Sequence, residues 1–201
     1  AGRIVAGSLE HRSPADDHLE LVQAIDWIGP VEWGAPDGRT IAHETRTTVI
    51  RHLAGDSDDQ SAFLIDVSCE LTPAKWSLRI GPTRHAFFGI RLVEPLRPSL
   101  GGQLADPSGP LSVADIVGQP GPWVQASAEV VAGHTAGVVV VRDPETAEMP
   151  WSLHEWGTID VNPLGTVARD LAPGDTLFCR LRLVVHDGCY TPEQIDQLAR
   201  L

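Results

Sequence analysis

The stretch Thr176–Asp187, TLFCRLRLVVHD, decides the fold. Leu177, Cys179, Leu181, Leu183 and Val185 fall on one side of a two-residue period. Phe178, Arg180, Arg182, Val184 and His186 fall on the other. A helix would return its apolar residues every three or four positions. Alternation at two is the signature of a half-buried strand. Ile41–Leu53 alternates in the same way and is rich in threonine and β-branched residues, with Glu44 and Arg46 on one face and His43, Thr45 and Thr47 on the other. Leu19–Ile28, Ser61–Thr72, Ala86–Val93, Trp123–Val131 and Thr135–Val141 also read as strands.

Turn chemistry separates these runs. Ala35-Pro36-Asp37-Gly38, Gly55-Asp56-Ser57-Asp58-Asp59 and Ala172-Pro173-Gly174-Asp175 carry the residues that tight turns need. Glu94–Pro122 is rich in proline and glycine and reads as loop, with a short strand near Leu111–Val113. One helix is well signalled, over Pro192–Ala199: Thr191 can cap it, Pro192 suits its first position and Glu193 favours the positive end of its dipole. The pattern predicts an all-β chain, an antiparallel β-sandwich of about ten strands in two packed sheets with a short C-terminal helix. No internal repeat, low-complexity tract or dividing linker stands out, so the 201 residues read as a single domain.

Composition narrows the partners. Asp and Glu number 27 against 15 Lys and Arg, a net charge of −12. A nucleic-acid binder needs basic side chains to displace counterions, so nucleic acid is not an expected partner. An anionic membrane surface is disfavoured for the same reason, and no apolar run is long enough to span a bilayer. Cys69, Cys179 and Cys189 are odd in number and lack metal-ligand spacing, which predicts free thiols and a reducing cytoplasm. Lys75 is the only lysine, which suggests a coding bias more than chemistry.

The familiar catalytic motifs are absent. There is no phosphate-cradling glycine loop, no nucleophile elbow and no zinc-binding helix pattern. No cofactor and no metal are expected. The densest polar and aromatic segment is Met149–Gly165, MPWSLHEWGTIDVNPLG. Trp151 and Trp156 bracket His154 and Glu155, and Asn162 follows. A pyranose can stack its apolar face on an indole while carboxylate and amide groups hold its hydroxyls. The plainer alternative is a connection with two core tryptophans. His186, ending a strand beside Asp187, could serve as an acid or base, or simply precede a turn. Glu44 and Arg46 could clamp a substrate or form a structural ion pair. Arg84, His85 and Arg91 flank an apolar strand, and His134 sits at a turn.

The order of segments has a further reading. FFGIR at Phe87–Arg91 is followed by Gly101-Gly102, Trp123, Gly137-Val138 and Asp143-Pro144. Pro150-Trp151, Gly157, Asn162-Pro163-Leu164-Gly165 and His186-Asp187-Gly188 then complete the series. Together they resemble the methane oxygenase (PmoA-type) family of bacterial proteins. The resemblance implies a supersandwich similar to galactose mutarotase and a sugar or sugar-derived ligand. Catalysis would fall to His154, Glu155 and His186, and substrate binding to Trp151, Trp156, Asn162, Glu44 and Arg46. It also implies departures from that family's pattern at Ser152, His154, Trp156 and Pro144, and an N-terminal segment ahead of Ala1 that this chain lacks. Three functions follow as expectations: acid–base chemistry on a carbohydrate, a binding module without turnover, and, from the family's name alone, a metal-dependent oxygenase.

Overall fold

A computed structural model describes residues 2–13, 18–33, 35–54, 61–81, 88–162, 164 and 167–200. Its strands are β1 (Arg3–Arg12), β2 (His18–Ile28), β3 (Thr40–Ala54), β4 (Ser61–Pro73), β5 (Leu78–Ile80), β6 (Phe88–Arg91), β7 (Gln103–Asp106), β8 (Gly109–Leu111), β9 (Trp123–Val131), β10 (His134–Arg142), β11 (Ser152–His154), β12 (Thr158–Val161), β13 (Arg169–Leu171) and β14 (Leu177–Asp187). One helical turn, α1 (Val113–Ile116), precedes β9, and α2 (Pro192–Ala199) closes the chain. The fold is all-β, built on antiparallel pairing and ending in one short helix, as the alternating sequence predicts.

The residues gather into two compact units. One comprises Ala1–Ile50, Asp66–Pro82 and Thr166–Arg180; the other comprises Arg51–Ile65, Thr83–Gly165 and Leu181–Leu201. In the first unit the strand order is β1-β2-β3-β4-β14, with β5 and β13 as a separate antiparallel pair. Ile25, Ala42, Glu44, Cys69, Leu71, Leu177 and Cys179 are buried here, in phase along their strands.

In the second unit β14, β10, β9, β7 and β8 are successive neighbours, and β11-β12-β6 forms a separate three-stranded sheet. The run Val138–Val141 explains its layering. Val138 and Val140 pack with Trp151 and Leu153 near β11 and with Ile159 and Val161 of β12. Val139 and Val141 pack on the opposite side with Trp123, Val184 and Ile195 of α2. A strand covered on both faces has no polar phase, which is why this run is continuous valine. The two sheets of this unit therefore face one another as a sandwich, and α2 covers the outer side of the larger sheet.

Several boundaries differ from the sequence reading. β14 does not keep one buried face: Leu177, Cys179 and Leu181 are buried, but then Arg182, Val184 and His186 are buried while Val185 is 40% exposed. The pairing of β14 with β10 is unbroken, so the change comes from α2 covering the other face. The strand expected near Leu111–Val113 ends at Leu111, and Ser112 instead caps α1 in a reciprocal bond with Asp115. The strands β5, β7, β11, β12 and β13 are three or four residues long, too short to display a period. β1 also escaped notice, because its register slips between Ala6 and Leu9 and breaks any alternation. Gly55–Asp59, Arg84, His85, Phe87, Pro163 and Gly165 lie outside the described residues.

Candidate functional site

The structure separates the residues that the sequence grouped. Trp151 is 3% exposed and belongs to the core, so it offers no face to a ligand. Arg142 lies 3.7 Å over its ring and donates to the carbonyls of Met149 and Pro150. Burial pulls the Arg142 guanidinium down to about 10, so it is still charged at neutral pH. Trp156 is 48% exposed at the β11–β12 turn. His154 stacks on it at 5.1 Å and Arg91 stands 5.2 Å from the same ring. Glu155 is exposed beside them, its carbonyl accepting from the Ser99 amide. Asn162 accepts from the Leu164 amide at 3.0 Å, a turn contact.

His186 sits apart from that cluster in its bonding. It is 2% exposed, contacts Gln125 at 3.0 Å through Nε2 and packs edge-on against Tyr190 at 4.6 Å. Burial lowers its pKa from the ordinary 6.5, favouring the neutral ring. Its neighbour Asp187 bridges His134 at 3.2 Å and Ser61 at 3.1 Å. There the carboxylate stands between hydroxyl and imidazole, which is not the order of a hydroxyl–imidazole–carboxylate relay.

Glu44 and Arg46 do meet, in the first unit. The Glu44 side chain has no exposed surface and accepts from Trp27 Nε1 at 2.7 Å and from Arg46 at 2.7 Å. Cys69 lies against the Glu44 carboxylate. Burial first, and that negative charge second, push its thiol far above the usual range. Burial likewise pushes Cys179 up to about 12. The Glu44 carboxylate at the centre of this cluster is covered, while the partly buried Trp27 and Arg46 flank it. Among the described residues, no three His, Cys, Asp or Glu side chains gather as a metal would require.

A concave site with aromatic walls lies elsewhere in the first unit. Trp33, Arg39, Ile41, Trp76, Ser77, Leu78 and Arg79 line a cleft of about 350 Å³. Trp33 ends a short 3-10 turn at Val31–Trp33, just after β2, and Trp76 follows the last residue of β4 by three positions. Local backbone bonds fix both. The Gly29 amide donates to Arg39 O at 2.7 Å and the Ala74 amide to Ile41 O at 3.0 Å. Gly38 closes the intervening turn with a positive φ of 77°, a conformation that favours glycine. At Gly29 a Cβ would come within 2.9 Å of the Trp33 ring, so the indole rests directly on bare backbone.

The exposures are unusual for tryptophan. Trp33 is 58% exposed and Trp76 is 50% exposed, although this residue is ordinarily mostly buried. Arg39 lies 5.6 Å and Lys75 lies 5.1 Å from the Trp76 ring centre. Arg79 is loosely paired with Asp170 at 3.3 Å, both well exposed. The lining thus offers indole surface, short aliphatic walls and guanidinium donors.

A comparison with protein families matches residues 1–200 to a family of unknown function, DUF6807. The chain belongs to the DUF6807 family. This overturns the methane oxygenase reading, for which no family match exists. Many of the motifs behind that resemblance contain glycine, proline, asparagine or aspartate, residues that unrelated antiparallel chains share for reasons of turn geometry. The departures at Ser152, His154, Trp156 and Pro144 were measured against that other family and carry no meaning for this one. No curated protein and no solved structure matches the chain. No helix among the described residues of this DUF6807 protein is long and apolar enough to cross a membrane.

Sequence reasoning missed Trp33, Arg39, Trp76 and Arg79. A signal was present. Both tryptophans lie in turn-forming contexts, Trp33 just ahead of Ala35-Pro36-Asp37-Gly38 and Trp76 just after Pro73. A tryptophan outside any alternating run is given no core face by the strand pattern, so its exposure has to be asked about separately. Lys75 stands at the indole of its sequence neighbour Trp76.

Proposed function

We propose that this DUF6807 protein binds a carbohydrate in the Trp33 cleft, without turning it over there. The observation that carries the reading is two half-exposed tryptophans lining one concave site together with two arginines. A pyranose has an apolar C–H face that gains by leaving water against an indole, and hydroxyls that accept from guanidinium. A volume of about 350 Å³ suits a small ligand more than a flat protein partner. Trp33 provides the free stacking face, and Trp76 holds Arg39 in place.

Among the described residues, the cleft's lining contains no carboxylate and no histidine. Glycoside hydrolysis ordinarily needs a pair of carboxyl groups flanking the scissile bond, so binding is the better-supported activity here. The acid–base scheme on His154, Glu155 and His186 has less behind it. His154 lies exposed on Trp156, whereas His186 is closed in against Gln125 and Tyr190.

A glycan array followed by tryptophan-fluorescence titration tests the proposal. The wild type should bind at least one glycan class and show a saturable change in fluorescence. Trp33→Ala should weaken that binding by about tenfold or more, a loss of at least about 1.4 kcal/mol from the stacking contact and the apolar area it buries. Wild-type protein that binds nothing on the array would end the reading.

A further inference from the structure

We infer that the sugar taken at this cleft is acidic, a hexuronate-type residue whose carboxylate is received by Arg39; the inference rests on the sugar-binding reading above. The starting point is a charge imbalance. The chain has 27 acidic and 15 basic residues, so a cleft of average composition would be rimmed mainly by carboxylates. This one is lined by Arg39 and Arg79, and the chain's only lysine, Lys75, stands at the same indole as Arg39. Among the described residues, neither Arg39 nor Lys75 has a carboxylate partner.

Each cation has a part. Arg39 lies over Trp76, which restricts the planar guanidinium to few orientations while leaving N–H groups to donate. A carboxylate can accept from such a fork through two parallel bonds, a match that a neutral hydroxymethyl group cannot reproduce. Among the described residues, Arg79 is held by Asp170 alone, at 3.3 Å in an exposed pair that a ligand carboxylate can replace. Lys75 adds positive potential at the same ring without lining the cleft. The carboxylates to be reckoned with are Asp170, on Arg79, and Glu32, exposed and adjacent in sequence to Trp33. One carboxylate per sugar, set at the rim of a pyranose whose apolar face covers Trp33, satisfies these groups together.

The experiment is a calorimetric titration of the full chain with matched probes: oligosaccharides of the common hexuronic acids, and their neutral hexose counterparts of the same linkage. The uronate should bind about tenfold or more tightly than its neutral match, and that margin should shrink as salt rises. In Arg39→Gln the ratio of the two affinities should fall towards one, and Arg39→Lys should retain part of it. Thermal melts of both variants confirm that the fold is intact. If neither class binds, the sugar-binding reading itself falls. If both bind with a ratio near one, or the neutral sugar binds more tightly, that reading stands and the acidic assignment is overturned. A high ratio that Arg39→Gln leaves unchanged also overturns it.

Discussion

Glu44 shows how a single charged residue can be accommodated in a β core. Its carboxylate is fully covered, yet it keeps the Trp27 indole N–H and the Arg46 guanidinium as donors. Removing it would strand those donors, while Arg46 could still turn to water. We therefore expect Glu44→Ala to cost about 1–3 kcal/mol in urea unfolding, below the penalty for orphaning a fully buried charge. The thiols differ in the same environment-driven way. Cys69 and Cys179 are buried and held protonated, whereas Cys189 is exposed. A native chain should react with one equivalent of a thiol reagent at neutral pH and take up the rest only in denaturant. Rapid labelling of more than one thiol in the native state would contradict this burial.

His186 makes a prediction about pH. Burial lowers its folded value below the ordinary 6.5. Below 6.5 the unfolded chain binds a proton that the folded chain resists, so the unfolded state gains. The residue's contribution is complete above 6.5 and is lost as pH falls from there towards the folded value. Melting temperatures measured from about pH 8 to about pH 5 should drop more steeply for the wild type than for His186→Asn. Parallel curves would show that His186 is protonated without cost.

At the scale of elements, the long strands were legible and the short ones were not, for a physical reason. The alternation in Leu177–Asp187 or Trp123–Val131 repeats often enough to be read, whereas β11 has three residues and β12 four. α2 was legible to the residue because its start carries cap chemistry: Thr191 accepts from the Gln194 amide and the Gln194 side chain returns the bond. What its sequence could not show was its packing role. Ile195 is 1% exposed against Val139 and Val184, and Asp196 accepts from Trp123 Nε1 at 2.7 Å. Ile195→Ala should therefore cost about 2–5 kcal/mol, and Thr191→Ala only about 1 kcal/mol, by chemical denaturation. An Ile195→Ala chain as stable as the wild type would mean that α2 does not hold this face.

At the scale of the whole molecule, the site was less legible than the fold. Met149–Gly165 attracted attention because its polar and aromatic residues are dense in sequence. Density in sequence is not proximity in space, and Trp151 turned inward while Trp156 turned outward. Trp33 and Trp76, far apart in the chain, meet at one cleft because the β2–β3 and β4–β5 connections both deliver a tryptophan there. Only strand pairing reveals that. The net charge of −12 describes the average surface and hides a local group of cations at the cleft.

The central claim is that this cleft holds a sugar on Trp33. The measurement that reaches it most directly is a calorimetric titration of the tightest-binding glycan into wild type and Trp33→Ala, with matched melting temperatures as the control. Saturable binding by the wild type, weakened by about tenfold or more in Trp33→Ala, is the predicted result. Equal affinity in the two proteins would contradict it.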